Sequence, residues 1–125
     1  MKDIISSDPM ISFDFKKYRI RIAKKTLHAL DDPEYVLLLV NPVDRLIAIQ
    51  KSDRADRRAH RISWSATLRN GTFEIYSAAL MDMLKLCSGW DENQSYRIFG
   101  TVNGNRDIVQ FRIDSSFKYP GMQEA

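Results

Sequence analysis

The sequence predicts a mainly β fold with two short helices, arranged as two β-α-β-β repeats around one shared barrel-like core. Three observations predict it. Apolar residues alternate with polar ones in short runs bounded by turn residues, which is the pattern of half-buried strands. These runs fall in the order strand, helix, hairpin, and that order occurs twice. The 125 residues, 44% apolar and 28% charged, are one domain's worth of globular chain.

Residues 1–12 read as a flexible tail, because Ser6, Ser7, Asp8 and Pro9 break any pattern. The first repeat spans 13–50. Tyr18, Ile20 and Ile22 set one face of a strand inward, and AKKTLHAL, residues 23–30, follows as a short helix with Leu27 and Leu30 three apart. Asp31, Asp32 and Pro33 stop that helix, since proline disfavours helical geometry in the residue before it. Residues 34–40 form a strand rich in branched side chains, Asn41-Pro42-Val43-Asp44 a turn, and RLIAIQ, residues 45–50, the return strand.

Residues 51–71 are a basic linker. Within it RISWSAT alternates at Ile62, Trp64 and Ala66, which predicts an extra strand with the Trp64 indole inward. The second repeat spans 72–115. TFEIY, residues 72–76, alternates again, and Ser77 is a suitable N-cap for a helix over 78–86 whose stripe is Leu80, Met83, Leu84 and Cys87. Ser88-Gly89 ends that helix, and Trp90 is placed as a cover on the second half of the core. Residues 94–102 and 107–113 pair across Asn103-Gly104-Asn105, a turn whose residues accept positive φ. Residues 116–125 read as a C-terminal tail. Tyr18 and Ile20 correspond to Phe73 and Ile75 at an offset of 55, and Asn41, Ile47 and Ile49 to Asn103, Val109 and Phe111 at an offset of 62.

Net charge is +3, unevenly spread: residues 1–62 hold 13 Lys/Arg against 9 Asp/Glu, and residues 63–125 hold 6 against 7. The density peaks in KKYRIRIAKK, residues 16–25, where six of ten side chains are cationic. Arg19 and Arg21 share the face opposite Tyr18, Ile20 and Ile22, flanked by Lys16, Lys17, Lys24 and Lys25. Such a face supplies salt-sensitive phosphate contacts, and its arginines could reach base edges; the alternative is the solvated outer face of a half-exposed strand. A second run, KSDRADRRAHR, carries Arg54, Arg57, Arg58 and Arg61 at spacings that a helix would bring to one side, offset by Asp53 and Asp56; it is a candidate phosphate-contacting arm, with an exposed linker as the simpler account.

A strand, short helix and hairpin in this order resemble the AbrB/MazE/MraZ-like swapped-hairpin family of DNA-binding transcription factors, and two such units resemble its tandem-repeat form. RIRIAKKTLHAL, residues 19–30, lies along the family stretch R-V-hydrophobic-I-P-x-x-L-R-x-x-L, with Arg19, Ile20, Ile22 and Leu30 at matching positions. Ala23 stands at the family's proline, and Glu74 replaces the strand arginine in the second copy. The resemblance implies a swapped-hairpin barrel, DNA as partner and a homo-oligomer. The strings TLHAL, PEY, LLLVNP and IAI are also similar to a group of small uncharacterised proteins of Gram-positive bacteria and their mobile elements.

Other chemistry finds little footing. The single Cys87 excludes an internal disulfide and fits the cytoplasm, and it lies on a helix stripe facing the core. His28 and His60 have no cysteine or acid pair at zinc-like spacing, so no metal is expected. Neither a Gly-rich phosphate loop nor a nucleophile elbow is present, and no catalytic residue or cofactor is expected. The amino-terminal residues lack the apolar core of a signal peptide, and no apolar run approaches membrane-spanning length. The leading reading is a non-enzymatic DNA-binding transcriptional regulator. The alternative is an interaction or scaffold protein of a mobile element with no nucleic-acid binding.

Overall fold

A computed structural model describes residues 8–118. Its elements, in chain order, are β1 (Met10–Asp14), β2 (Arg19–Ala23), α1 (Lys24–Ala29), β3 (Tyr35–Asn41), β4 (Leu46–Ser52), β5 (His60–Arg61), α2 (Trp64–Asn70), β6 (Thr72–Ile75), α3 (Ala78–Ser88), β7 (Ser95–Val102), β8 (Ile108–Arg112) and β9 (Phe117–Lys118), with a 3-10 turn at Ile113–Ser115 between the last two. The fold is mainly β, as the alternation predicts. The strands form one curled antiparallel sheet, a half-barrel, in the order β5-β3-β4-β8-β7-β1-β2-β6.

β7 is where the sheet turns. Its first half, Ser95–Phe99, pairs with β1, while Gly100–Val102 pair with β8. β9 continues along the β8 edge, opposing Tyr96 and Arg97. The inward residues of every long strand meet in one core: Ile11, Phe13, Ile20, Ile22, Val36, Ile47, Ile49, Ile98, Val109 and Phe111 are all fully buried, joined by Leu27 of α1, by Leu30 at its C-cap and by Met81 and Leu84 from α3. Each such side chain contributes roughly 1.5–3 kcal/mol of transfer free energy, so the period-two pattern is the main source of the sheet's stability. Trp90 stacks on Tyr96 with centroids 4.7 Å apart, touches Phe13 and Phe15, and donates from its indole to Ser116 Oγ at 2.9 Å.

Four expectations change. The sheet begins at Met10, inside the expected tail, because Met10 N–H and C=O both bond the buried Thr26 hydroxyl at 2.7 Å and Ile11 and Phe13 enter the core. Phe117–Lys118 likewise leave the expected C-terminal tail to pair with β7; residues 1–7 and 119–125 of the two tails lie outside the described residues. The strand expected in RISWSAT stops at Arg61 and gives way to α2. Thr67 closes the first turn of α2 by bonding the Ser63 carbonyl through both N–H and hydroxyl, and Gly71, at φ 81, ends the helix. Trp64 therefore lies against α1, stacked on His28 at 6.1 Å and donating to the Pro33 carbonyl. Last, the β7–β8 turn takes its positive φ at Arg106, not at Gly104. Asn103 Oδ1 instead accepts from the N–H groups of Asp107 and Ile108, fixing the turn with a side chain.

Candidate nucleic-acid interface

The curl gives β7, β1, β2 and β6 an outer face opposite the core. The registers set its rows. Arg97 faces Ser12, Ser12 faces Arg21, and Arg21 faces Glu74. In the next row Ser95 faces Asp14, which faces Arg19. Lys16 and Lys17 are exposed in the β1–β2 turn, and Lys24 and Lys25 open α1 directly after β2. Arg19, Arg21 and Arg97 thus share one face, with Lys16 and Lys17 in the turn before β2 and Lys24 and Lys25 directly after it; Arg97 comes from a part of the chain that sequence reasoning passed over. Its signal was the alternation of β7, which sets Arg97 and Phe99 opposite Tyr96 and Ile98.

The two strand arginines are not free cations. Arg19 donates to Asp14 at 3.1 Å and approaches Glu74 at 3.6 Å, with only 13% of its side chain exposed. Arg21 Nε donates to Glu74 at 3.1 Å. Burial pushes the Glu74 carboxyl up. Hydrogen bonds from Tyr76 and Arg21, with the charges of Arg19 and Arg21, more than reverse this and hold it below its ordinary value. Glu74 is therefore a partner to both strand arginines, and Asp14 is the second partner of Arg19. Even so, residues 8–25 with their strand neighbours Glu74 and Arg97 hold seven cationic side chains (Lys16, Lys17, Arg19, Arg21, Lys24, Lys25, Arg97) against three carboxylates, Asp8, Asp14 and Glu74.

The second cationic run is placed elsewhere. Residues 53–59 form turns rather than a helix, so Arg54, Arg57 and Arg58 do not share a helix side, and Arg61 belongs to β5. Arg58 is held on Asp56, which lowers the pKa of the acid and raises that of the base. This loop begins beside β8, where Lys51 N–H donates to the Asp107 carbonyl, and ends on β3. Lys16 and Lys17, by contrast, flank α3 through the neighbouring Tyr18, whose hydroxyl donates to Asp82 and whose ring lies under Lys85. The two runs sit at different parts of the half-barrel.

A shallow cleft of about 450 Å³, lined by Glu34, Arg61, Ile62, Ser63, Trp64 and Ser65, opens where β5 passes into α2. Among the described residues no group of three or more metal-ligating side chains converges, and no helix is long and apolar enough to cross a membrane. Cys87 is a half-buried free thiol packed against the core. Comparison with family models, curated proteins and solved structures finds no match to this chain.

Proposed function

We propose that the chain is a non-enzymatic DNA-binding transcriptional regulator built from two β-α-β-β units in a swapped-hairpin arrangement. Support for the two units comes from strand order. Exchanging β1 with β5, β3 with β7 and β4 with β8 turns the run β5-β3-β4-β8-β7-β1 into its own reverse. β1, which precedes β2, pairs with the second repeat's hairpin at β7, and β5, from the segment that precedes β6, pairs with the first repeat's hairpin at β3. Ile20 also pairs with Ile75, its counterpart at the offset of 55, and Ala48 with Gln110, counterparts at 62.

The observation that carries DNA binding is the imbalance of seven cations to three carboxylates among residues 8–25 and the Arg97 and Glu74 that β7 and β6 bring beside them. A cationic surface of this kind gains affinity by releasing counterions from phosphates, so binding falls steeply with salt. The test is affinity for a mixed-sequence duplex across a salt series. Because Arg19 and Arg21 are engaged with Asp14 and Glu74, the side chains to remove are Lys16, Lys17 and Lys24. Each alanine substitution should lower the log–log salt slope by about 0.9 while leaving the fold intact. Absence of binding at low salt would end the proposal. The same reading expects a cytoplasmic homo-oligomer, which light scattering would detect.

One observation favours the alternative, a protein-interaction or scaffold role. Glu74 pairs with both Arg19 and Arg21, the arginines a DNA surface would use. The salt series separates the two readings, since a scaffold ignores DNA.

A further inference from the structure

We infer that the cationic face takes single-stranded DNA, with the stacked Phe99–Phe117 pair as the platform for an unpaired base. The inference rests on the DNA-binding reading and narrows its ligand.

Phe99 stands on the outward side of β7, two residues beyond Arg97 and opposite Met10 of β1. Phe117 sits on β9 directly opposite Arg97. The two rings are 5.8 Å apart at 23°, and each residue is 42% exposed. Lys25 Nζ lies 5.3 Å from the Phe99 ring centroid. Singly exposed apolar residues are ordinary, but here two rings stack on each other inside a field of cations. The β strands could have placed polar side chains there at no loss of core, since Tyr96 and Ile98 supply the buried side of β7.

An open aromatic pair has little use against a duplex. Duplex bases are stacked out of reach, and their edges are read by an element that enters a groove, whereas this sheet face is broad. A single strand exposes the π-face of each base, and proteins that hold it combine a cationic track with rings on which bases stack. Arg97 lies beside both rings and Lys25 over one of them, so phosphates flanking a stacked base meet positive charge. Charge complementarity and stacking therefore call for the same ligand.

The test compares binding of the full chain to a labelled oligothymidylate and to a duplex of equal length at one low salt concentration. The single strand should bind more tightly. Phe99→Leu and Phe117→Leu keep apolar bulk but remove a ring, and each should weaken single-strand binding by roughly 5- to 150-fold, the range of one base–aromatic stack, with duplex binding unchanged. Phe99→Trp should retain the affinity, and its indole emission should be quenched on binding. Equal affinity for duplex and single strand, or leucine variants that bind the single strand as well as wild type, would overturn the inference while leaving DNA binding in place. Tighter binding of oligouridylate would overturn the choice of DNA. If neither form of DNA binds at low salt, the underlying reading fails, and this one with it.

Discussion

Arg45, in the turn between β3 and β4, donates to the carbonyls of Cys87 and Ser88 at the end of α3, and Arg106, in the turn between β7 and β8, donates to those of His28 and Ala29 at the end of α1. Each hairpin's turn thus closes the helix of the other half. Both arginines sit at φ 56, and both add a carboxylate: Asp114 at 2.7 Å for Arg45 and Asp31 at 3.2 Å for Arg106. The last turn of a helix leaves carbonyls without intrahelical donors and carries partial negative charge, so a guanidinium meets both needs at once. Only Arg has the reach and the forked donors to bond two successive carbonyls from a turn in a neighbouring hairpin.

Substituting either arginine should therefore separate two effects. Arg45→Ala and Arg106→Ala remove the carbonyl bonds, which at these partly exposed positions should cost about 1–2 kcal/mol each. The alanine also keeps the left-handed backbone, which costs a non-glycine residue about 1–2 kcal/mol. Glycine at the same position loses the bonds but relieves the backbone, so the glycine variants should be about 1 kcal/mol more stable than the alanine ones. Urea midpoints resolve differences of this size. Alanine variants as stable as wild type would mean that the cross-braces carry no net stability.

Acid should unfold the sheet partly through Glu74. Its carboxyl titrates below the ordinary value of 4.5 in the folded chain, so below that pH the unfolded chain binds more protons. The stabilisation is complete above about pH 4.5 and is lost as pH falls through the lowered value. Glu74→Gln should flatten this acid limb and cost about 1 kcal/mol at neutral pH, because Arg19 keeps Asp14 while Arg21 loses its carboxylate partner. Thermal midpoints of both proteins from pH 7 to pH 3 check it. An acid limb of equal slope in the variant would place the acid sensitivity elsewhere.

The strands of the half-barrel were legible because burial on one side writes itself as period two: Ile20 and Ile22, Ile47 and Ile49, Val109 and Phe111 are the core residues the alternation marks. RISWSAT misleads for the same reason. Ile62 is buried as a strand residue would be, but Trp64 and Ala66 continue the alternation by coincidence into a helix whose true signals are Thr67 and the Asn70-Gly71 stop. The cationic run of residues 16–25 was legible as charge, and its neutralisation was not. Asp14 and Glu74 reach Arg19 and Arg21 only through the pairings β1–β2 and β2–β6, and the second of these spans more than fifty residues of chain. Arg97 and Phe99 were hidden similarly, since nothing local to β7 says which strand lies beside it.

The bend in β7 depends on the absence of a side chain at Gly100. There the strand leaves β1 for β8, and the Gly100 N–H still donates to the Pro9 carbonyl at 2.8 Å. A Cβ at this position would lie 2.6 Å from two atoms of the Phe111 ring and 2.7 Å from the Gln110 carbonyl oxygen. Phe111 is fully buried, so its ring has no open space to move into, and the carbonyl is backbone. Gly100→Ala should cost about 1–3 kcal/mol, the usual penalty of overpacking. Trimming the ring tests the cause. Phe111→Leu alone loses core contacts, but in the double variant the alanine should cost less than it does alone, because its main obstacle is gone; contacting residues of this kind commonly couple by about 0.5–3 kcal/mol. Urea denaturation of the four proteins gives the coupling. Strict additivity would show that Gly100 is needed for its backbone freedom, or for the Gln110 contact, rather than for the approach of Phe111.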